Sequence, residues 1–414
     1  MKVLIISASD INGGAARAAY RLHKGLLGEG IDSQMLVQQK SSDDYTVITN
    51  ETKINKGFSI FRSHIDAIST LFYKNRTKTL FSPAWLPSLG LIGRINAFNP
   101  DVVHLHWVNG GMLRMDELAK INAPIVWSLH DMWAFTGGCH YDEQCGAYKQ
   151  NCGSCKVLAS VKKNDLSRRI HNKKAKIFKN LENLTVIGLS QWMAKCAEES
   201  SLFVSKRVVC LPNPIDTTVF SPFEKARARS LLNLPVDKKL VLFGAMGATS
   251  DPRKGFKELS KALSLLDRDD VELVVFGSSQ PEGSQGFKHK AHYLGHLHDD
   301  VSLRLLYSAA DVMVVPSLQE NLSNAIMESL SCGTPVVAFD VGGNGDMIEH
   351  KQTGYLAKAY DTDELISGIQ WVLNATNYDR LSKNARNKVM REFDSAVVVK
   401  LYIELYASVL NKEY

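Results

Sequence analysis

Pro316-Ser317-Leu318-Gln319-Glu320-Asn321-Leu322-Ser323-Asn324-Ala325-Ile326-Met327-Glu328-Ser329-Leu330-Ser331-Cys332-Gly333-Thr334-Pro335 lies between two apolar runs, Asp311–Val315 and Val336–Phe339. Short apolar runs of this kind read as parallel strands buried on both faces. Between them, Ser323 or Asn324 is placed to cap a helix whose apolar positions include Ala325, Ile326 and Leu330. Glu320 then falls in the loop ahead of the helix, and Glu328 falls more than one turn inside it. A strand, a polar loop and a helix N-terminus in that order make a place where backbone N–H groups can hold an anion. The flanking carboxylates are poor phosphate ligands but good acceptors for sugar hydroxyls. The stretch therefore predicts a ligand carrying both phosphate and polyol. The bland alternative is a pair of ordinary solvated glutamates.

Around this stretch, 414 residues are too many for one ordinary core, and two domains of roughly 200 residues each are expected. The apolar and charged fractions, 45% and 22%, are those of a soluble globular protein. A net charge of +6 is modest and does not by itself indicate nucleic acid. Base-reading motifs and aromatic platforms for single strands are not evident, so no nucleic-acid partner is expected. Met1–Ser7 reads as a first strand rather than a signal peptide, and no apolar run reaches the roughly 18 residues of a membrane span. A cytoplasmic protein is expected, with its seven cysteines reduced unless a metal holds them.

In the first half, Val3–Ser7 is a strand and Asp10-Ile11-Asn12-Gly13-Gly14-Ala15 a turn into the helical run Ala15–Leu27. Gly13 and Gly14 let the backbone approach a ligand beside a helix N-terminus. The turn is not G-x-G-x-x-G, which excludes the dinucleotide fingerprint of an oxidoreductase. Ile31–Val37, Asp101–His106 and Ile125–His130 read as further strands, with helices near Leu89–Phe98 and Arg114–Lys120. This alternation predicts a doubly wound parallel sheet. His104, His106 and His130 fall at or near strand ends, where such sheets bind ligands. Between Ser41 and Pro87, basic residues (Lys53, Lys56, Arg62, Lys74, Arg76, Lys78) mix with aromatics (Phe58, Phe61, Phe72, Tyr73, Phe81, Trp85). They either lie on an anionic membrane surface or fold into the domain. Nine basic residues between Lys156 and Lys179 face only Asp165. Read as a helix from about Asp165, they form either a solvated face or a dock for acidic phospholipid or a lipid-linked diphosphate.

Cys139, Cys145, Cys152 and Cys155 fall within 17 residues. Cys152 and Cys155 have zinc-knuckle spacing, and the four thiols are a candidate set for one structural zinc. Two disulfides or four reduced thiols are the alternatives.

Leu184–Leu189 and Val208–Leu211 precede Pro212-Asn213-Pro214, whose prolines mark a domain crossing near residue 212. The second half opens with the strand Leu240–Ala245 and the turn Met246–Pro252, after which Arg253-Lys254-Gly255 opens a helix. A cation at a strand-to-helix turn suits a diphosphate. Strands Val271–Phe276 and His292–Leu294, the helix Asp299–Ser308, a glycine-rich turn at Asp340–Asp346 and an edge strand at Gly354–Leu356 follow. Helices near Asp363–Leu373, Tyr378–Val389 and Ala396–Leu410 close the chain.

Glu320, seven residues, Glu328 and then Cys332-Gly333-Thr334-Pro335-Val336-Val337 resemble the donor-binding motif of retaining glycosyltransferases of family four. The resemblance covers essentially the whole chain. It implies an α/β GT-B fold of two doubly wound Rossmann-like domains facing a central cleft, with the C-terminal helix crossing back to the first domain. The domains would be an acceptor-side domain at 1–211 with a Cys-rich insertion at 139–155, a nucleotide-sugar domain at 212–394, and the returning helix at 395–414. The implied reaction moves a sugar from a nucleotide diphosphate sugar to a hydroxyl of a glycan or lipid-linked acceptor. It implies His130 and Glu320 at the reacting sugar, and Gly13, Gly14, Arg253, Lys254, Asn321, Leu322, Ser323 and Glu328 at the donor. It implies no cofactor for catalysis.

Two positions depart from the family pattern. Pro214 stands where glycine is usual, and Gly247-Ala248 where an arginine is usual, so Arg253 is the candidate replacement for that guanidinium. The sequence from Trp127 to His140 is similar to a subgroup active in bacterial exopolysaccharide and O-antigen assembly, which implies work at the inner face of the cytoplasmic membrane. A sugar-nucleotide epimerase of the same architecture, or an inactive sugar-nucleotide-binding paralogue, is the alternative.

Overall fold

The computed structural model describes residues 1–49, 61–244, 247, 250–278, 288–297 and 299–411. Lys53, Lys56, Phe58, Ala245, Met246 and Ala248, named above, lie outside the described residues. The chain forms two compact units, Met1–Asn213 with Val398–Tyr414, and Pro214–Val397.

The first unit is built on seven parallel strands: β1 (Lys2–Ser9), β2 (Asp32–Gln39), β3 (Val47–Ile48), β4 (Val102–Leu105), β5 (Ile125–Leu129), β6 (Leu184–Gly188) and β7 (Arg207–Cys210). Their order is β3-β2-β1-β4-β5-β6-β7. Val3, Leu4, Ile5 and Ile6 are fully buried, as a strand covered on both faces requires. Helices α1 (Gly14–Gly28), α2 (Leu91–Phe98), α3 (Leu166–Lys179) and α4 (Gln191–Glu198) complete the alternation. Side chains cap two of them: Asp165 accepts from the Arg168 N–H at 3.1 Å, and Ser190 from the Met193 N–H at 3.1 Å. The helix expected at Arg114–Lys120 is a 3₁₀ turn, Met115–Lys120, ended by the extended backbone of Ile121.

The basic segment is a helix, but not every cation faces water. Lys174 is fully buried, donating to the carbonyls of Trp133 and Thr136 and lying 3.8 Å from the Trp133 ring centre. Burial pushes its ammonium down to about 7, partly opposed by the nearby thiols of Cys152 and Cys139 and by Asp131. Arg62, one of the basic residues read as either surface-lying or folded into the domain, is also buried and donates to the Gly111 carbonyl at 2.9 Å. Both cations fit the interior because backbone carbonyls replace the water they lose.

The second unit has six parallel strands: β8 (Lys239–Gly244), β9 (Val271–Phe276), β10 (Ala291–Tyr293), β11 (Val312–Val315), β12 (Val336–Phe339) and β13 (Gly354–Ala357). Their order, β10-β9-β8-β11-β12-β13, is the doubly wound 3-2-1-4-5-6 arrangement, with the switch point between β8 and β11. Around the sheet lie α5 (Lys225–Leu231), α6 (Phe256–Ser264), α7 (Asp300–Ala309), α8 (Asn324–Ser331), α9 (Asn344–Met347), α10 (Thr362–Leu373) and α11 (Tyr378–Glu392). The last helix, α12 (Ser395–Val409), belongs to the first unit from Val398 onward. Its Tyr406 hydroxyl meets Nδ1 of the buried His104 at 2.6 Å, which ties the end of the chain to β4.

Candidate functional site

Apart from Glu328, inside α8, the residues singled out in the second unit lie on loops at the C-terminal ends of β8 and β11, the two strands of the switch point. After β8, Asp251 accepts from the Arg253 N–H at 3.0 Å and starts the short turn Pro252–Lys254. Gly255 ends that turn at φ 70°, where a Cβ would run into the Pro316 carbonyl oxygen. Only glycine lets the two loops touch here. The Leu318 N–H then donates to the Arg253 carbonyl at 2.8 Å. The turn after β12 closes on the same loop, with the Gly343 N–H reaching the Glu320 carbonyl at 3.2 Å. Gly342, at φ 57°, has no room for a Cβ beside that carbonyl.

This framework brings Lys254 and Glu320 together. The Lys254 ammonium lies 2.8 Å from Glu320 Oε2, and the Ser317 hydroxyl donates to the same oxygen at 3.2 Å. Glu320 is buried, which alone would raise its carboxyl, but Lys254, Arg253 and Ser317 hold it below the usual carboxylate range. Arg253 turns onto Asp251 at 2.7 Å within its own turn. Asn321, Leu322 and Ser323 are buried along the approach to α8. Ser323 occupies the N-cap of α8 without a side-chain capping bond, so its hydroxyl does not play the role read from the sequence. Glu328 is buried inside α8 and accepts from the Tyr307 hydroxyl at 2.9 Å. Tyr307, on α7, carries no local sequence signal and was not anticipated.

In the first unit, Gly13 takes the N-cap of α1 at φ 97° and Gly14 is its first residue. Asp10, given no role of its own in the sequence reading, fixes this turn. Its buried carboxylate accepts from the N–H groups of Ile11, Ser41 and Ser42 at 2.8–3.1 Å. Burial raises that carboxyl, but these donors outweigh it and hold it low.

His130 is half-buried at the end of β5, its Nε2 2.8 Å from Nδ1 of His106. His104 is a core residue rather than a ligand-facing one, bound between the Tyr406 and Ser128 hydroxyls. Burial pushes His104 down to about 3 and His130 down to about 4, so both rings are neutral near pH 7. Asp131, next in sequence, accepts from His140 Nδ1 at 2.6 Å and from the indole N–H of Trp107 at 3.0 Å.

The four cysteines expected to hold one zinc sit in different surroundings. Among the described residues, no three His, Cys, Asp or Glu side chains are drawn together to hold a metal ion. Cys139 and Cys155 pack in an apolar cluster with Phe81, Val157, Leu158 and Ile170. Cys152 Sγ accepts from the Gly137 N–H at 3.1 Å, whereas Cys145 is exposed beyond the left-handed residues Glu143 and Gln144. Burial pushes the Cys152 thiol up to about 12 and the Cys139 thiol well above its ordinary value. All seven cysteines are free thiols.

Residues 12–219 match the family model described as Glycosyltransferase Family 4, and residues 237–375 match that of Glycosyl transferases group 1. The chain belongs to glycosyltransferase family 4. An uncharacterized glycosyltransferase of Methanocaldococcus jannaschii is 26% identical over 349 residues, covering 78% of this chain and 86% of that protein. Among solved structures, sucrose-phosphate synthase of Thermosynechococcus elongatus superposes with a TM-score of 0.69 at 19% identity, covering 99% of this chain and 100% of that one. Anabaena HepE, solved in complex with UDP and glucose, gives 0.65 at 17% identity, covering 99% of this chain and 100% of that one. At these identities the likeness is one of fold: two Rossmann-like domains, the GT-B architecture. For this family 4 glycosyltransferase, the strand-end loops carrying Lys254 and Glu320 are the candidate donor site, and the β5 end carrying His130 is the candidate sugar-contact site.

Proposed function

We propose that this glycosyltransferase transfers a sugar from a nucleotide diphosphate sugar to a hydroxyl of a glycan or lipid-linked acceptor, with retention at the anomeric carbon. The observation that carries the reading is the Lys254–Glu320 pair, a cation and a carboxylate held 2.8 Å apart at a switch-point strand end beside the N-terminus of α8. Its chemistry suits the two halves of such a donor. Lys254 and the α8 N-terminus meet the negative charge that develops on the departing diphosphate. Glu320 and the backbone of Asn321–Ser323 orient hydroxyls of the transferred sugar. Glu328 takes the ribose hydroxyls, Gly13 and Gly14 approach the diphosphate, and His130 contacts the sugar. Arg253 adds charge if diphosphate draws it from Asp251. The departing phosphate takes the acceptor's proton on the face it leaves, with no protein nucleophile and no cofactor. HepE's complex with UDP supports uridine donors as the first to test.

The acceptor is placed in bacterial surface polysaccharide assembly on the strength of the Trp127–His140 resemblance. Among the described residues no helix is long and apolar enough to cross a membrane. Contact with an acidic membrane surface would instead be peripheral. Phe61, Leu71 and Phe72 are exposed, as are Lys74, Arg76 and Lys78. Phe81, by contrast, is buried.

The test is product analysis with UDP-glucose and other nucleotide sugars against a panel of glycan and polyprenyl-linked acceptors. Proton NMR of the product reports the anomeric configuration. Transfer with the donor's configuration, abolished by Glu320→Ala, is expected; an inverted product would overturn retention. Donor consumed without acceptor to give an epimer would favour the epimerase instead.

A further inference from the structure

Phe61, Ile68, Leu71, Phe72, Leu80 and Trp85 are exposed large apolar side chains within one short stretch of the first unit, whereas between residues 90 and 213 only Val161 and Val204 are. Leu71 and Phe72, at the end of the short turn Ala67–Phe72, are 72% and 85% exposed. Exposed apolar residues scattered singly are ordinary; a concentration of this kind marks a contact surface.

The fold draws these side chains together. The buried Asp66 carboxylate accepts from the N–H groups of Ala84 and Trp85, both at 3.0 Å, and the Trp85 indole N–H donates to the Asp66 carbonyl at 3.0 Å. Trp85 is thereby held beside the turn that carries Leu71 and Phe72, with its one hydrogen-bonding atom already used. Lys74, Arg76 and Lys78 follow, all exposed. Their segment is clamped to the Cys-rich one. The Tyr73 hydroxyl accepts from the Leu166 N–H at 2.9 Å, and the Thr77 N–H donates to the Val157 carbonyl at 2.9 Å. The hydroxyls of Thr77 and Thr79 both donate to Glu143, at 2.5 and 2.6 Å. On the neighbouring segment Lys156, Val161, Lys162 and Lys163 are exposed, and the Ser154 N–H folds its tip back by donating to the Lys162 carbonyl at 3.0 Å.

Residues 61–98 and 144–181 contain two carboxylates, Asp66 and Asp165. Both are buried, and Asp165 accepts from the Cys155 N–H at 2.9 Å and the Ser167 hydroxyl at 2.7 Å. Neither segment therefore puts a negative charge among its exposed cations. The basic helix α3 differs, because Lys173 already pairs with Asp116 at 3.2 Å and Lys174 is buried.

We propose that Leu71, Phe72 and Trp85, with the cations Lys74, Arg76 and Lys78 and the Lys162–Lys163 tip, form a face that docks on an anionic lipid bilayer. The apolar side chains enter the boundary between headgroups and acyl chains, and the cations meet lipid phosphates. This deepens the peripheral contact proposed above by committing it to one face and one partner. A second copy of the chain fits the same face poorly, since a two-fold interface sets its cations against each other.

The test is flotation of the full-length protein with vesicles of phosphatidylcholine alone or mixed with phosphatidylglycerol. Capture by the anionic vesicles only is expected, weakening as salt is raised. Leu71→Ser with Phe72→Ser, both at exposed positions, is expected to weaken capture about tenfold. Lys74→Gln, Arg76→Gln and Lys78→Gln together are expected to weaken it by about a hundredfold, at roughly fivefold per cation. Arg169→Gln with Lys176→Gln, on α3, is expected to matter far less. Equal capture by phosphatidylcholine, native capture after the Leu71 and Phe72 substitutions, or a greater loss from the α3 pair would overturn the proposal. So would a dimer in sedimentation that the Leu71 and Phe72 substitutions dissolve while no vesicle is bound, because the face would then belong to a second copy. Sugar transfer to a water-soluble glycan acceptor is expected to be unchanged in every variant. Transfer without vesicle capture overturns the docking face alone; capture without transfer overturns the sugar-transfer reading and leaves the face standing.

Discussion

A diphosphate approaching Lys254 meets a cation that already has a counter-charge, Glu320 at 2.8 Å. Glu320→Gln removes that counter-charge and keeps the shape. UDP affinity measured by calorimetry is therefore expected to hold or rise, while transfer falls by about 10²-fold or more, the scale of losing one group that acts in the transition state. Lys254→Met is expected to do the reverse to binding, weakening UDP more than tenfold; unchanged UDP affinity would remove Lys254 from the diphosphate site. The two substitutions separate roles that sequence spacing could only assign by position. Glu328 raises a different question, because Tyr307 already holds one of its oxygens. Tyr307→Phe is expected to cost about 1–3 kcal/mol in urea unfolding, the range for a hydrogen bond to a charged group. Affinity for UDP is expected to fall alongside if Glu328 needs that bond to face a ribose.

At the level of elements, the strands with the least polar content were read most closely. Val271–Phe276 and Val336–Phe339 coincide with β9 and β12, whose continuous burial leaves at most one polar residue, Glu272, to blur their ends. The helix read as Asp299–Ser308 came within a residue of α7, because Asp299 caps it by accepting from the Ser302 N–H at 2.7 Å; the capped helices α4 and α5 were not read. The two-residue strand β3 was not legible, because Val47–Ile48 is too short to show a period. Nor was the face of α3 that turns inward. A lysine in a basic run looks solvated, and only the carbonyls of Trp133 and Thr136 make Lys174 a core residue. The return of α12 has a checkable energetic consequence. Tyr406→Phe strands the buried His104 Nδ1, and chemical denaturation should show a loss of about 1–3 kcal/mol. A loss near zero would mean that α12 is held by its apolar contacts alone.

For the whole molecule, acid is expected to act on the two units at different pH. In the first unit, burial drives His23, His104, His106, His130 and His171 all below their ordinary value. An unfolded chain takes up protons on these rings near pH 6.5 while the native unit does not, so stability falls as pH drops below about 6.5, by up to about 1.4 kcal/mol per pH unit for each ring. Among its described residues the second unit has one such histidine, His289, and a buried carboxylate hub at Asp311. Burial alone would raise Asp311, but Lys225 at 3.0 Å, Arg229 at 2.7 Å and the Leu240 N–H at 2.7 Å hold it below the usual range. A depressed carboxylate stabilises the fold above its unfolded value of about 3.9, and that stability is lost only as pH falls further. Hydrogen exchange between pH 7 and pH 4 should therefore show the first unit opening before the second; simultaneous opening would sink this ordering.

The sequence by itself determined the strand–helix alternation, the presence of two α/β domains, and the loop and helix that carry Glu320 and Glu328. Each is written in local periodicity, caps and turns, which residues close in the chain control. Only the tertiary structure decided that Lys254 pairs with Glu320, that Tyr307 holds Glu328, and that His104 is core while His106 holds His130. These are contacts between chain segments far apart in sequence, or choices about which side of an element faces inward. The loop after β11 was visible from its spacing alone; its place against the turns after β8 and β12 depended on two glycines whose missing Cβ atoms let three backbones meet.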